Sequence, residues 1–341
     1  MNKLLLLLLF GLLLSSCSND FEVTAPWKEI PVVYGILSPQ DSAQYIRIEK
    51  AFLDPDKSAL EIAQIVDSLY YPENSIAVYL ERTDNQTRTQ LRRVDGALEG
   101  YPREPGVFAG APNWLYKTDA GFLIQGGKTY RLIIERKDGR ADITAETTVP
   151  KDFVVVKPSL ATAVPVISFE KNTPGTPIQV NTDVNGYFFN ITFRVRYFEK
   201  NLNGTVASTN ELVWQAATNV ERDNVSNNGI YKMLESIPRN NFYNFLANNL
   251  QRVAPNRYRE FKNCDLIIDG GGIEIKEYLD TYNANNGLTG AEVFPNYTNI
   301  SEGFGIFTAK YRTVVEGLKI DSKTVDSMRV STITDTLGFR Y

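Results

Sequence analysis

The sequence predicts a mainly β protein: two Ig-like β-sandwich domains in series, with short helical insertions. Three observations carry that expectation. Apolar and polar residues alternate with period two in several short runs, and Gly, Pro, Asn and Asp clusters punctuate those runs at fairly regular spacing. The hydrophobic content of 43% and charged content of 22% belong to a folded globular chain rather than a disordered one.

The first domain is expected over residues 31–150. Val32-Val33-Tyr34-Gly35-Ile36-Leu37 and Tyr45-Ile46-Arg47-Ile48-Glu49 flank a Ser38-Pro39-Gln40-Asp41 turn, and the second run alternates as a half-buried strand should. Residues 75–81, 129–136 and 143–149 repeat that character, with Gly126-Gly127-Lys128 introducing the second of these and Pro150 ending the third. Residues 58–69 differ. Leu60, Ile62, Ile65, Val66 and Leu69 fall at mostly three- and four-residue spacings after Asp54-Pro55-Asp56, which reads as a short amphipathic helix or an irregular loop.

Residues 151–177 carry several prolines with Ser, Thr and Asn, and are expected to form a linker or crossover. A second β-rich domain follows over 178–318. Residues 187–198 alternate well and precede Asn203-Gly204, a hairpin signal, with Leu212-Val213-Trp214 on the returning strand. Residues 238–250 predict a helix starting at Pro238, with Phe242, Phe245, Leu246 and Leu250 on one side. Residues 266–268 and 273–278 read as two strands around Gly270-Gly271-Gly272, and 304–315 as a last strong strand. Residues 319–341 form an extension that either docks or dangles.

The N-terminus carries the clearest signal for location. Lys3, an apolar core over residues 4–14 and Leu14-Ser15-Ser16-Cys17 have the order of a secretory signal peptide. The apolar run is too short for a transmembrane helix, which takes roughly 20 residues. A cysteine at the junction makes the segment resemble a bacterial lipoprotein signal, with residues 1–16 removed and Cys17 acylated. Residues 17–30 are then a lipidated tether, and the protein is membrane-attached through its N-terminal lipid. Ser18-Asn19-Asp20-Phe21-Glu22 is acidic and polar, resembling the signal that sends Bacteroidetes lipoproteins to the cell surface; an ordinary flexible tether has the same composition.

Composition removes several function classes. The formal net charge is −4, with no basic stripe, so a nucleic-acid partner is not expected. There is no histidine, which removes Ser-His-Asp and Cys-His catalysis and histidine metal sites. With Cys17 spent on lipid, Cys264 is left alone; it reads either as a small apolar residue opening a buried strand or as a reactive thiol.

Two stretches carry a family resemblance. The first opens on Val32-Val33-Tyr34-Gly35-Ile36-Leu37 and closes on Gly127-Lys128-Thr129-Tyr130-Arg131-Leu132-Ile133-Ile134 and Thr147-Thr148-Val149-Pro150. The second is Pro295-Asn296-Tyr297-Thr298-Asn299-Ile300-Ser301-Glu302-Gly303-Phe304-Gly305-Ile306-Phe307. With the lipoprotein start, these resemble a family of uncharacterised Bacteroidetes outer-membrane lipoproteins, a domain of unknown function commonly encoded beside TonB-dependent receptors. The resemblance implies a cell-surface accessory protein partnering an outer-membrane β-barrel. It supplies no catalytic residues.

Local constellations leave alternatives open. Residues 299–305 form either a loop presenting Tyr297, Asn299 and Phe304 to a partner or a turn into a core strand. Gly270-Gly271-Gly272 reads as a bend rather than a phosphate cradle, because a strand is expected after it. Asp54-Pro55-Asp56 and Asp183-Val184-Asn185-Gly186 suggest either partial calcium loops or turns. The Pro- and Gly-rich stretch 101–116 offers Phe108 and Trp114 as ligand contacts. Ser42, Ser68, Ser327 and Thr336 match an Asp-Ser/Thr-apolar pattern resembling Bacteroidetes O-glycan acceptors. No cofactor, metal site or catalytic residue is expected.

Three functions compete. The first is a non-enzymatic surface lipoprotein serving an outer-membrane transporter or assembly. The second is a carbohydrate- or peptide-binding surface module, and the third a hydrolase using a carboxylate pair.

Overall fold

The computed structural model describes residues 29–51, 58–285 and 297–341. Strands take up 46% of the chain and helices 14%, so the mainly β expectation holds. The N-terminal strands are β1 (Ile30–Leu37), β2 (Tyr45–Ala51), β3 (Ile76–Arg82), β4 (Thr87–Asp95), β5 (Trp114–Lys117), β6 (Thr129–Arg136) and β7 (Ile143–Thr148). They are followed by β8 (Val154–Lys157), β9 (Val166–Ile167), β10 (Thr176–Thr182), β11 (Phe188–Asn201), β12 (Val206–Glu221), β13 (Tyr231–Ile237), β14 (Arg257–Gly271) and β15 (Phe304–Ile320). Five helices accompany them among the described residues: α1 (Ala59–Ala63), α2 (Val66–Leu69), α3 (Arg239–Asn249), α4 (Ile273–Asn285) and α5 (Ser322–Val330).

One mixed sheet runs through both halves in the order β12-β11-β14-β15-β1-β2-β5-β4-β3-β6-β7, with β9 beside β15. A smaller antiparallel sheet, β13-β10-β8, packs over the C-terminal part. The element joining the halves is β15. Its first residues pair in parallel with β1, from Val32↔Phe304 to Leu37↔Ala309, and its later residues pair antiparallel with β14, from Gly271↔Lys310 to Cys264↔Leu318. The two halves therefore share a strand instead of standing as independent sandwiches.

Two cores result. In the N-terminal one, alternation sends Val33, Leu37, Ile46 and Ile48 inward against Val78, Leu80, Tyr130, Leu132 and Ile134. Ile300, Phe307 and Ala309 also belong to this core, although the sequence boundary places them in the second domain. The C-terminal core lies between the large sheet and β13-β10-β8. It gathers Phe169, Phe193, Trp214 and Phe242, with the Phe169 and Phe242 rings stacked at 4.2 Å. Cys264 is fully buried here, and burial, then the neighbouring Asp265 charge, pushes its thiol well up, so it serves as an apolar residue.

Several expectations are corrected. Residues 273–278 are helix, not strand: β14 continues through Gly270 and Gly271, which stay paired to β11 and β15. The six-residue alternation Ile273-Glu274-Ile275-Lys276-Glu277-Tyr278 is too short to separate the two periods, and Glu274 in the first turn suits a helix start. A Cβ at Gly270 would collide with the Phe153 and Phe189 rings, so this glycine exists for packing. Residues 58–69 form two short helices; Ser58 and Glu61 make a capping box for α1, and the chain breaks at Gln64 and Ile65.

Residues 151–177, expected as a linker or crossover, contribute β8, β9, the start of β10 and the buried side chains of Ile167 and Phe169. The C-terminal extension docks. Val325, Met328, Leu337 and Phe339 are buried in the C-terminal core, and the Phe339 ring stacks on Phe261 at 4.2 Å.

Candidate functional site

Alternation fixes what the outer face of β1 and β2 offers. With Val33, Leu37, Ile46 and Ile48 turned inward, Val32, Tyr34, Ile36, Arg47 and Glu49 fall on the opposite face. There α2 packs beside β2 and α4 beside β15. Between these two helical covers a groove of about 620 Å³ stays open, lined by Val32, Tyr34, Ile62, Leu69, Phe108 and Tyr278 together with Arg47, Glu49, Lys50 and Arg103.

The polar end of the groove is ordered. Arg103 Nη1 donates to Glu49 Oε1 and to the Tyr70 hydroxyl, both at 2.8 Å, and Arg47 Nη1 reaches Glu49 Oε1 at 3.5 Å. The Arg103 guanidinium lies 5.0 Å from the Phe108 ring centroid. Three cations against one carboxylate leave this end positive. Burial pushes the hydroxyls of Tyr34 and Tyr70 up, so both stay neutral hydrogen-bonding groups. Among the described residues lining the groove, Glu49 is the single carboxylate and is already ion-paired, so paired-carboxylate glycoside chemistry lacks its second acid there. The arrangement can hold an apolar side chain over Val32 and Tyr34 with an acidic group near Arg47 and Lys50.

Of the residues named from sequence, Phe108 is brought into this groove and is 48% exposed. Trp114 instead joins a small cluster with Leu69, Tyr70 and Ala109 beneath the helical insertion, capped by the Arg93 guanidinium at 4.4 Å. Phe304 is exposed at the start of β15. Tyr297 is half-buried, and its hydroxyl is pushed up by burial and by Glu277 of α4.

Asn299 is a structural clamp. Its amide nitrogen donates to the Phe307 carbonyl at 2.7 Å and the Glu146 carbonyl at 3.1 Å, while its oxygen accepts from the Phe307 N–H at 2.9 Å. Next to it, the Ser301 hydroxyl accepts from the Thr144 N–H at 2.7 Å, closing the edge of β7. Gly305 has φ +109°, and a Cβ there would fall onto the Val33 carbonyl. The Asn-Ile-x-x-Gly-x-Gly-x-Phe run thus encodes a turn and strap into the core, with Tyr297 and Phe304 left at its surface.

The remaining candidates disperse. Ser42 and Thr336 are exposed, whereas Ser68 in α2 and Ser327 in α5 are half-buried. Asp183 accepts from the backbone of Asn185 and Gly186 at 3.1 and 3.2 Å, which is turn chemistry. No group of three or more metal-ligating side chains gathers among the described residues. Cys17 and Asp54-Pro55-Asp56 lie outside the described residues.

Sequence reasoning misses Tyr34, Arg47, Glu49, Arg103 and Tyr278 as a set. The outward phase of β1 and β2 is readable, and residues 101–116 stand out by composition. Their convergence requires the β2–β5 pairing and the position of α4, neither of which leaves a local pattern. Compared with known proteins, the chain matches no protein-family model and no curated protein sequence.

Proposed function

We propose that this chain is a non-enzymatic, lipid-anchored surface protein that serves as accessory to an outer-membrane transporter of the TonB-dependent type. The observation that carries the reading is the groove: a preformed apolar trough with a positive end and a single, already paired carboxylate, suited to docking rather than chemistry. The lipoprotein-like start, the acidic residues after Cys17 and the motif resemblance to outer-membrane lipoproteins support it from the sequence side. The partner segment best matched to the groove is an extended one with an aromatic or aliphatic anchor next to an acidic residue.

The test is purification of the native lipoprotein in mild detergent, followed by mass spectrometry of the complex. A stoichiometric outer-membrane β-barrel is expected. Recovery of the lipoprotein alone would overturn the reading.

A second reading, direct capture of a carbohydrate or peptide, is favoured by the exposed Phe108 ring beside Arg103. Under it, a glycan or peptide screen on the purified protein yields a ligand whose binding is lost in Phe108→Ala. O-glycosylation, if it occurs, falls on the exposed Ser42 and Thr336, which intact-mass measurement of native protein decides.

A further inference from the structure

A second cavity, of about 270 Å³, shares no lining residue with the groove and lies where the Val184–Asn185 turn, Tyr187 and Arg222 meet the opening of α4 at Gly272, Ile273 and Glu274. Its distinguishing member is Arg222. Only 7% exposed, this cation has no carboxylate partner among the described residues. Its Nη1 donates to the Asp223 carbonyl at 2.8 Å and its Nη2 to the Val184 carbonyl at 3.4 Å. Its Nε is buried without a partner.

The guanidinium also lies over two rings, 3.7 Å from the Tyr231 centroid and 4.4 Å from that of Tyr187. Such contacts hold the guanidinium but supply no full counter-charge. A cation buried without an anion is costly, and most buried arginines are paired.

The second feature is the first turn of α4, a helix of 13 residues. Gly272, Ile273 and Glu274 line the same cavity wall. The Gly272 N–H donates to the Ala309 carbonyl at 3.3 Å and the Glu274 N–H to its own carboxylate, so the helix opening adds its dipole and the Ile273 N–H. Glu274 is the resident acid of this wall. Its Oε2 accepts from the Thr308 hydroxyl at 3.2 Å, and burial pushes its carboxyl up toward the neutral form.

We propose that this cavity binds a small oxyanion, the carboxylate or phosphate group of an organic ligand, with Arg222 as its main partner and the opening of α4 as the second. The cavity has room for the charged group and a short body, not for a polymer. This site is independent of the groove and of the transporter reading: it involves none of the groove's residues.

The test is calorimetric titration of the full chain in detergent, separately with inorganic phosphate and with acetate, at constant ionic strength held with chloride. Saturable binding of at least one anion is expected at millimolar concentrations. In Arg222→Gln the affinity falls about tenfold or more, as expected for loss of hydrogen bonds to a charged group; Arg222→Lys keeps part of it. Glu274→Gln, which removes the resident acid, tightens binding. A preference for phosphate over acetate, or the reverse, names the ligand group.

Absence of saturable binding to both anions overturns the proposal. So does unchanged affinity in Arg222→Gln. Should Arg222→Gln fail to fold by circular dichroism, Glu274→Gln decides: unchanged or weaker affinity there places the anion elsewhere and overturns the site.

Discussion

The two ends of β15 are held in opposite ways. From Lys310 onward it pairs antiparallel with β14, inside a run of neighbours (β12, β11, β14) whose alternation is plain in the sequence. From Phe304 to Ala309 it pairs in parallel with β1, a strand from the opposite end of the described chain. Antiparallel pairing of that kind needs little help, but a parallel partner met across so much chain carries a large closure cost and a weaker ladder. The extra devices sit at that end: the Asn299 clamp, the Ser301 contact to β7, and a left-handed glycine whose missing Cβ lets two backbones meet. This contrast explains why the most distinctive motif of the chain is structural. It specifies a pairing that local pattern does not.

Breaking the parallel end has the largest expected effect. In Gly305→Ala a Cβ meets the Val33 carbonyl at a backbone already at φ +109°. We expect a loss of more than about 4 kcal/mol, at the exceptional end for single substitutions. Denaturant unfolding followed by circular dichroism measures it. Because the two cores share β15, the loss appears in one transition with the C-terminal core; a separate N-terminal transition would show that the shared strand does not couple them.

At the antiparallel end, Phe339→Ala removes a ring only 2% exposed that stacks on Phe261. A loss of about 3–5 kcal/mol is expected for a buried aromatic. A change within about 0.5 kcal/mol, the range of surface sites, would mean that the C-terminal segment does not pack as described.

Asp265, also on the β14 side, gives a pH signature. Burial alone pushes its carboxyl up, but Arg196 at 2.8 Å, the Gly317 N–H at 3.0 Å and Arg194 hold it below the usual carboxylate range. A folded-state value below the unfolded one contributes stability above the unfolded value and loses it as pH falls through the folded one. Asp265→Asn is therefore expected to cost about 3 kcal/mol near neutrality, with the difference from wild type shrinking below about pH 4. Paired unfolding curves at pH 7 and pH 3 check this.

The smallest structural effect is expected in the groove. Tyr34, on the outer face of β1, is 43% exposed, so Tyr34→Ala shifts stability by about 1 kcal/mol or less while removing much of the groove floor. Thermal unfolding should barely move, leaving any loss of partner binding attributable to the site.

What is legible in the sequence follows the same division. The alternating runs at β1, β2, β6, β7 and β11 appear where expected, as do the Asn203-Gly204 hairpin and the helix after Pro238. β4 hides because Thr87-Arg88-Thr89-Gln90-Leu91-Arg92-Arg93-Val94-Asp95 turns mostly to solvent and buries only Leu91 and Val94. The segment opening at Ile273 is ambiguous because six residues satisfy two periods. The groove lies half open to reading: its floor follows from the phase of β1 and β2, but Arg103 and Tyr278 reach it only through tertiary placement. Of the Arg222 cavity, the Asp183–Gly186 turn and Gly272 stand out in the sequence, but Arg222 itself does not, because an arginine's lack of a counter-ion is a property of its neighbours.

The groove as docking face for an outer-membrane partner is tested directly by photo-crosslinking in cells. A photo-reactive residue placed at position 34, in the groove, is compared with one at position 330, where Val330 is 83% exposed on α5 over the other core. A covalent adduct with an outer-membrane β-barrel is expected from position 34 and none from position 330. No barrel adduct at position 34, or equal capture at both positions, would show that the groove is not the docking face.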